Sequence, residues 1–128
     1  MAEFDTFQVA VKGLHYKDGK LLILKDDKGE WDLPGGRINY GESFIEALQR
    51  ECEEELGVKC RILDPRPALV WQGRNTNGDW RVDICFKIDF SSFDFRTTLE
   101  SVEFGYFDLV EARKLNLSSH LNQLKEIL

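Results

Sequence analysis

The residues best suited to chemistry lie together in Arg50-Glu51-Cys52-Glu53-Glu54-Glu55-Leu56-Gly57. A glutamate run is often only a solvated helix face, because glutamate favours both helix and water. The spacing here argues for more. At about 100° per residue, Glu51, Glu54 and Glu55 cluster on one side of a helix. They border an apolar stripe of Phe44, Ile45, Leu48, Cys52 and Leu56, while Glu46, Gln49 and Glu53 fall on the far side. The three clustered carboxylates therefore turn toward the protein. Glu51 and Glu55 are like charges at i,i+4, which costs about 0.2–0.5 kcal/mol even in water. Glu54 and Glu55 also sit in the last turn, where the helix dipole disfavours anions. A divalent cation removes the conflict. Hard oxygen ligands suit Mg²⁺ or Mn²⁺ rather than zinc. Neither the Asp26–Gly29 turn nor the Asn75–Asp79 turn has the spacing of an EF-hand calcium loop.

The elements that must carry these groups can be read from periodicity and turn signals. Ser43, with Glu46 three residues later, has the form of a capping box, and Gly57 is placed as the C′ residue. A helix is predicted from about Phe44 to Leu56. Phe7, Val9 and Val11 alternate with Gln8, Ala10 and Lys12 as in a strand. Asp18-Gly19 marks a turn, Leu21–Leu24 a buried strand, and Asp26–Gly29 a second turn. Pro34-Gly35-Gly36 is expected to be loop. Strands are predicted at Val58–Leu63, near Ala68–Trp71 and at Val102–Phe107, with a hairpin turn at Asn75–Asp79. Val82, Ile84, Phe86, Ile88 and Phe90 alternate with Arg81, Asp83, Cys85, Lys87 and Asp89, the pattern of a strand with one apolar face. Leu109–Leu115 and Ser119–Leu128 are predicted closing helices, the second with Leu121, Leu124 and Leu128 on one face. Strands interleaved with a few helices imply an α/β fold with a mixed sheet covered on both sides.

A chain of 128 residues fits a single domain spanning 1–128 and can bury a core without staples. No apolar run reaches the roughly 18 residues of a membrane span. The acidic start, Met1-Ala2-Glu3-Phe4-Asp5, lacks the regions of a signal peptide. Cys52, Cys60 and Cys85 are an odd count without metal-type spacing. A reduced cytoplasmic protein is the expected setting. The net charge of −6 speaks against a nucleic acid polymer as partner. It does not exclude a nucleotide, because a metal ion can bridge acidic groups to phosphates.

With these residues in view, the stretch from Gly36 to Val58 resembles the Nudix box. The box reads Gly, five residues, Glu, seven residues, Arg-Glu, an apolar residue, any residue, Glu-Glu, any residue, Gly, apolar. Gly36, Glu42, Arg50-Glu51, Cys52, Glu54-Glu55, Gly57 and Val58 fill it, with Cys52 the one unusual apolar choice. The lead-in Trp31-Asp32-Leu33-Pro34-Gly35 also resembles that of the family. The resemblance implies an α/β/α sandwich around a mixed sheet, and water attack on a phosphoanhydride of a small nucleotide with Mg²⁺ (or Mn²⁺) as cofactor. It implies Glu51, Glu54 and Glu55 as metal ligands, joined by Gly35, with Arg50 orienting the carboxylates and Glu42 supporting the loop. Glu51, Glu54 and Arg50 are the implied catalytic residues. A further glutamate outside the box is expected to serve as base or extra ligand, Glu103 being favoured over Glu100. Gly36 and Arg37 are expected near phosphate. Trp71 and Tyr106, or else Trp80 or Phe90, are candidates to stack on a nucleobase. His15 and His120 have no catalytic context in the sequence. Neither a Pro nor a Tyr stands 15–17 residues past the box, at Gln72, Gly73 and Arg74. By the resemblance, this disfavours typical ADP-ribose and dinucleoside polyphosphate hydrolases and favours a MutT-like action on nucleoside triphosphates, with an ADP-ribose or nucleotide-sugar pyrophosphatase as the alternative. A nucleotide-binding module without catalysis is the competing class, and monomer and homodimer are both compatible with the sequence.

Overall fold

The computed structural model describes residues 6–75 and 77–122. In chain order they form β1 (Gln8–Leu14), β2 (Tyr16–Lys17), β3 (Lys20–Asp26), β4 (Trp31–Asp32) and β5 (Gly35–Arg37). Next come α1 (Phe44–Leu56), β6 (Cys60–Ile62), β7 (Leu69–Arg74), β8 (Trp80–Phe90), β9 (Ser101–Phe107), α2 (Leu109–Arg113) and α3 (Ser119–Asn122). The positions of Leu124 and Leu128 on the last predicted helix lie outside the described residues, as does the side chain of His120.

Two sheets result. One has the order β5-β1-β8-β6, with β7 also on β8; the other has β2-β3-β4, with β9 on β3. β1 and β8 run parallel and their other pairings are antiparallel. This is the mixed α/β arrangement expected from the sequence. α1 packs on one face of the larger sheet, where Leu48, Cys52 and Leu56 meet Val11, Phe86 and Ile88. A second core lies on the opposite face, where Leu21, Ile23, Trp71 and Cys85 meet Ala112, Leu117 and Leu121.

Three local expectations change. Gly35-Gly36 is not loop but the start of a strand, with Val11 opposite Gly36 and Lys12 opposite Gly35. Gly35 has φ 128, and an added Cβ there would collide with the Val11 carbonyl oxygen. Only glycine lets the chain turn out of Pro34 and still pair with β1. Second, β8 is not half-solvated. Asp83 and Cys85, on its polar phase, are fully buried because the second core roofs that face. Third, the apolar stripe of α1 is rotated. Ala47 is buried and Phe44 is partly exposed, its ring still 6.3 Å from that of Phe86. Ser43 Oγ accepts from Glu46 N at 3.1 Å, and Gly57 closes the helix at φ 71. The reciprocal capping box is at Asp108 and Glu111 on α2 instead.

Candidate active site

α1 presents its carboxylates beside β5, and one cation organises them. Arg50 grips Glu42 with two hydrogen bonds, Nε to Oε2 at 2.8 Å and an Nη2 bond to Oε1 at 2.9 Å. The same guanidinium donates to Glu51 at 3.0 Å, to Glu54 at 3.4 Å and to the Arg37 carbonyl at 3.2 Å. Glu42 Oε1 also accepts from Asn39 N at 2.7 Å. Arg50 therefore pins the loop after β5 to the helix and orients Glu51, as charge-assisted bonds do well. The bond to Arg50 holds Glu42 below its ordinary pKa.

Glu55 is the strained member. Its Oε1 accepts from Gly35 N at 2.7 Å. Burial pushes its pKa up to about 8, opposed by Lys12 and the Gly35 N–H and reinforced by Glu51 and Asp32. Gly36 makes room for Glu51: a Cβ there would lie 2.6 Å from the Glu51 carboxyl carbon. Sequence reading treated these glycines as turn formers. Their packing shows that one avoids the β1 backbone and the other avoids a carboxylate.

These groups edge an open cleft of about 480 Å³, lined by Lys12, Lys25, Asp26, Asp32, Gly35, Glu51, Glu55 and Glu100 among others. Lys12 is a site residue that the sequence did not announce. It is buried on β1, and its Nζ donates to Asp32 Oδ2 at 3.0 Å and to the Leu33 and Gly35 carbonyls, each at 3.3 Å. The one available signal was a lysine on a phase of β1 that had to face either solvent or a core. Glu100 lines the cleft, whereas Glu103 is exposed and pairs with Lys25 at 3.6 Å. The cause is a register shift in the β3–β9 ladder between Lys25 and Asp26, which sets Glu103 opposite Lys25 and Ser101 opposite Asp26. A bulge of this kind re-aims side chains.

The donor set fits a hard divalent cation: carboxylate oxygens, one of them poorly solvated, beside a backbone carbonyl. It is not preassembled. Among the described residues, no three His, Cys, Asp or Glu side chains converge as a metal cage. Arg50 engages Glu51 and Glu54, while a Glu55 oxygen rests on the Gly35 N–H. Glu54 is the most exposed of the three, with 59% of its side chain accessible.

The candidate aromatics separate. Trp71 and Phe90 are core residues. Tyr106 lies at the other end of β9, its hydroxyl 3.0 Å from His15 Nε2. His15 is buried, with Nδ1 3.4 Å from the Ile88 carbonyl and with Phe90 and Phe93 rings around it. Burial lowers its pKa, against the opposing pull of the Ile88 carbonyl and Asp89. Trp80 is the exposed candidate, with the Arg74 guanidinium over its ring at 4.8 Å. It shares a cleft of about 430 Å³ with Phe7, Arg37 and Asp79.

Comparison with known proteins agrees with this architecture. A MutT protein from Methanosarcina mazei Go1 superposes with a TM-score of 0.81 at 22% identity, covering 98% of this chain and 95% of that one. A MutT NUDIX hydrolase from Burkholderia pseudomallei superposes at 0.78 with 25% identity, covering 94% and 96%. In sequence, a protein named ADP-ribose pyrophosphatase from Methanocaldococcus jannaschii is 32% identical over 111 residues, which is 84% of this chain and 65% of that protein. A human protein named 8-oxo-dGDP phosphatase is 50% identical over 50 residues, which is 37% of this chain and only 16% of that protein. The chain thus spans less than two thirds of these curated relatives. No described helix is long and apolar enough to cross a membrane. The family model for the NUDIX domain matches residues 6–124, nearly the whole of the two-sheet body and its carboxylate helix, and the chain belongs to the Nudix family.

Proposed function

We propose that this protein is a Mg²⁺-dependent pyrophosphohydrolase that cleaves a phosphoanhydride bond in a nucleoside triphosphate or a related nucleoside diphosphate derivative. The observation that carries this reading is the cleft in which Glu51 and Glu55 meet Lys12 and Glu100. Glu51, Glu54 and Glu55, with the Gly35 carbonyl, are the groups that would hold the cation. When bound, Mg²⁺ supplies charge neutralisation for the phosphate oxygens and acidifies coordinated water.

The remaining chemistry belongs to the chain itself. Phosphoryl transfer asks a protein mainly for positioning and charge stabilisation. Lys12 and Lys25 place positive charge beside the acidic helix and attract the polyphosphate. Arg50 keeps Glu51 and the loop from Arg37 to Glu42 in register. Glu100 is placed to take a proton from water as its oxygen forms a bond to phosphorus and the anhydride P–O bond breaks. A general base of this kind contributes about 10²–10⁴ in rate. Glu100, which lines the cleft, is preferred for this role over Glu103, which pairs with Lys25 outside it. Gly36 and Arg37 adjoin the phosphate region, and the exposed Trp80 beside Arg37 offers a stacking face for a base, a better one than Trp71 or Tyr106 presents.

The test is release of phosphate or pyrophosphate from a nucleotide panel, with Mg²⁺ and with chelator. The panel should include unmodified and 8-oxo nucleoside triphosphates, CTP and ADP-ribose. ADP-ribose earns its place because the relative matching over 111 residues carries that name. Divalent-dependent turnover of at least one nucleotide is expected. A folded protein that binds nucleotides and cuts none of them would leave the non-catalytic module as the reading.

A further inference from the structure

β8 ends at Phe90 and β9 begins at Ser101, so the segment 91–100 carries Glu100 to the cleft. Two anchors set its course. The first is the end of α1. Arg96 N donates to the Leu56 carbonyl at 2.8 Å and satisfies one of the acceptors that a helix leaves open at its C-terminus. The Arg96 side chain lies over Gly57, with Nε 3.3 Å from where a Cβ at that position would stand. It brings a cation to the negative end of the helix dipole, and the last turn of α1 has no basic residue of its own. Next to this anchor, Phe95 sets its ring edge-on to Phe90 and Phe104, with centroids 4.9 and 5.4 Å away.

The second anchor is Thr98. Its Oγ1 accepts from Ser101 N at 2.9 Å and from Glu100 N at 3.3 Å. Its own N donates to the Ser101 carbonyl at 2.8 Å. Thr98 thus holds both backbone groups of Ser101, the buried residue that opens β9 opposite Asp26, where the register of the β3–β9 ladder shifts. Glu100 stands inside this turn and lines the cleft with Glu51 and Glu55. Leu99, just before it, is 91% exposed and lends no packing. Among the described residues, no hydrogen bond or ion pair holds the Glu100 carboxylate. Its aim therefore depends on the backbone of the turn.

We propose that Thr98 is a positioning residue for hydrolysis: its hydroxyl fixes the turn that directs Glu100 at the cleft, and the Arg96 anchor holds that turn in place against the end of α1. The catalytic half rests on the reading of Glu100 as the base; the anchoring of the turn does not. A base must come within about 2.6–3.2 Å of the water that it deprotonates. Misplacement by about 1 Å can cost roughly 10²-fold in rate. Without the Thr98 hydroxyl, the Glu100 and Ser101 amides lose their shared acceptor, while the bond from Thr98 N to the Ser101 carbonyl remains. The turn loosens but does not come apart, and Glu100 spends less time at the cleft.

The experiment compares Thr98→Val, which keeps the branched shape and removes the acceptor, with Thr98→Ser, which keeps the acceptor. Both are made in the full chain and checked for native circular dichroism. Thr98→Val is expected to lower kcat about 10-fold with little change in KM, and Thr98→Ser to recover most of that loss. In a Glu100→Gln background, Thr98→Val is expected to add nothing, because a positioning residue acts through the group it positions. A full further loss in the double variant, or a change confined to KM, would overturn the proposal. Amide hydrogen exchange, read without nucleotide or metal, supplies the independent arm. Exchange at Glu100 and Ser101 is expected to speed severalfold in Thr98→Val and to stay near wild type in Thr98→Ser. Unchanged exchange in Thr98→Val overturns the anchoring whether or not the chain hydrolyses nucleotides. Faster exchange beside a fully active Glu100→Gln overturns the catalytic half together with the base assignment and keeps the anchor, so the two failures are distinguishable.

Discussion

The two ends of the β3–β9 ladder are built from the same strands and treat charge in opposite ways. At the Leu22–Tyr106 end, His15 gives one ring nitrogen to the Tyr106 hydroxyl, sets the other near the Ile88 carbonyl, and is walled by aromatic rings. At the Lys25–Asp26 end the ladder bulges, the sheet opens, and Glu100, Glu51 and Glu55 share a wet cleft. Polar groups in the first region are matched and enclosed, so they hold the fold in one state. Those in the second are crowded and only partly matched. Electrostatic conflict beside solvent, rather than burial of polar groups as such, distinguishes the end proposed as the active site from the enclosed one.

The strongest way to break this contrast is to remove a carboxylate from the open end. Glu54→Gln and Glu55→Gln are each expected to lower Mg²⁺-dependent turnover by about 10²–10³-fold, the scale of losing a preorganised charge-stabilising group, with unchanged circular dichroism. Unchanged turnover in both variants would place the chemistry elsewhere. Next in size is the choice between the two glutamates of β9 and its lead-in. Glu100→Gln is expected to lower kcat by about 10²-fold, and Glu103→Gln, which breaks an exposed ion pair with Lys25, by less than about twofold. The reverse ranking would mean that the bulge does not aim the base.

At the closed end the expected losses fall on stability. Tyr106→Phe takes the hydroxyl partner from His15 and is expected to cost about 1 kcal/mol, a fall of roughly 3–5 °C in Tm. kcat should be unchanged. A large rise in KM instead would return Tyr106 to the substrate site.

The two regions also predict opposite pH slopes. Glu55 has its pKa raised in the fold, to about 8, so the metal-free native state holds a proton that the unfolded chain loses first. Stability from this group falls as pH climbs from the unfolded carboxyl value toward 8. His15 has its pKa lowered from 6.5, so its contribution is present above 6.5 and is lost as pH drops below it. Between about 6.5 and 8 the metal-free protein should therefore lose stability on raising pH, through Glu55. Glu55→Gln should abolish that loss and leave only the acid-side decline. Thermal melts in chelator across pH 5–8 read both slopes, and identical profiles for the two proteins would show that Glu55 is well solvated.

Much of this organisation was legible in the chain. α1 could be placed between Ser43 and Gly57 because caps are local: a hydroxyl reaching an N–H three residues on, and a glycine free to take positive φ. The carboxylate face followed from helical periodicity, and the box spacing carried the family resemblance. β1, β3 and β6 to β9 were legible from alternation and turn residues, whereas the short β2, β4 and β5 were not. Long-range contacts were not legible. Lys12 looked like a surface residue until Leu33 and Gly35 folded their carbonyls over it. Asp83 and Cys85 read as the wet face of β8 until the second core covered them.

The sequence by itself determined the helix, its caps, its glutamate spacing and the approximate strands, because each depends on residues within a few positions of one another. The tertiary structure alone decided which glutamate lines the cleft, which aromatic stays exposed, and that Lys12, Asp83 and Cys85 are buried. Those outcomes depend on the β3–β9 register shift, on the carbonyls folded over Lys12 and on the second core over β8. All are contacts between segments far apart in the chain, and no local pattern encodes them.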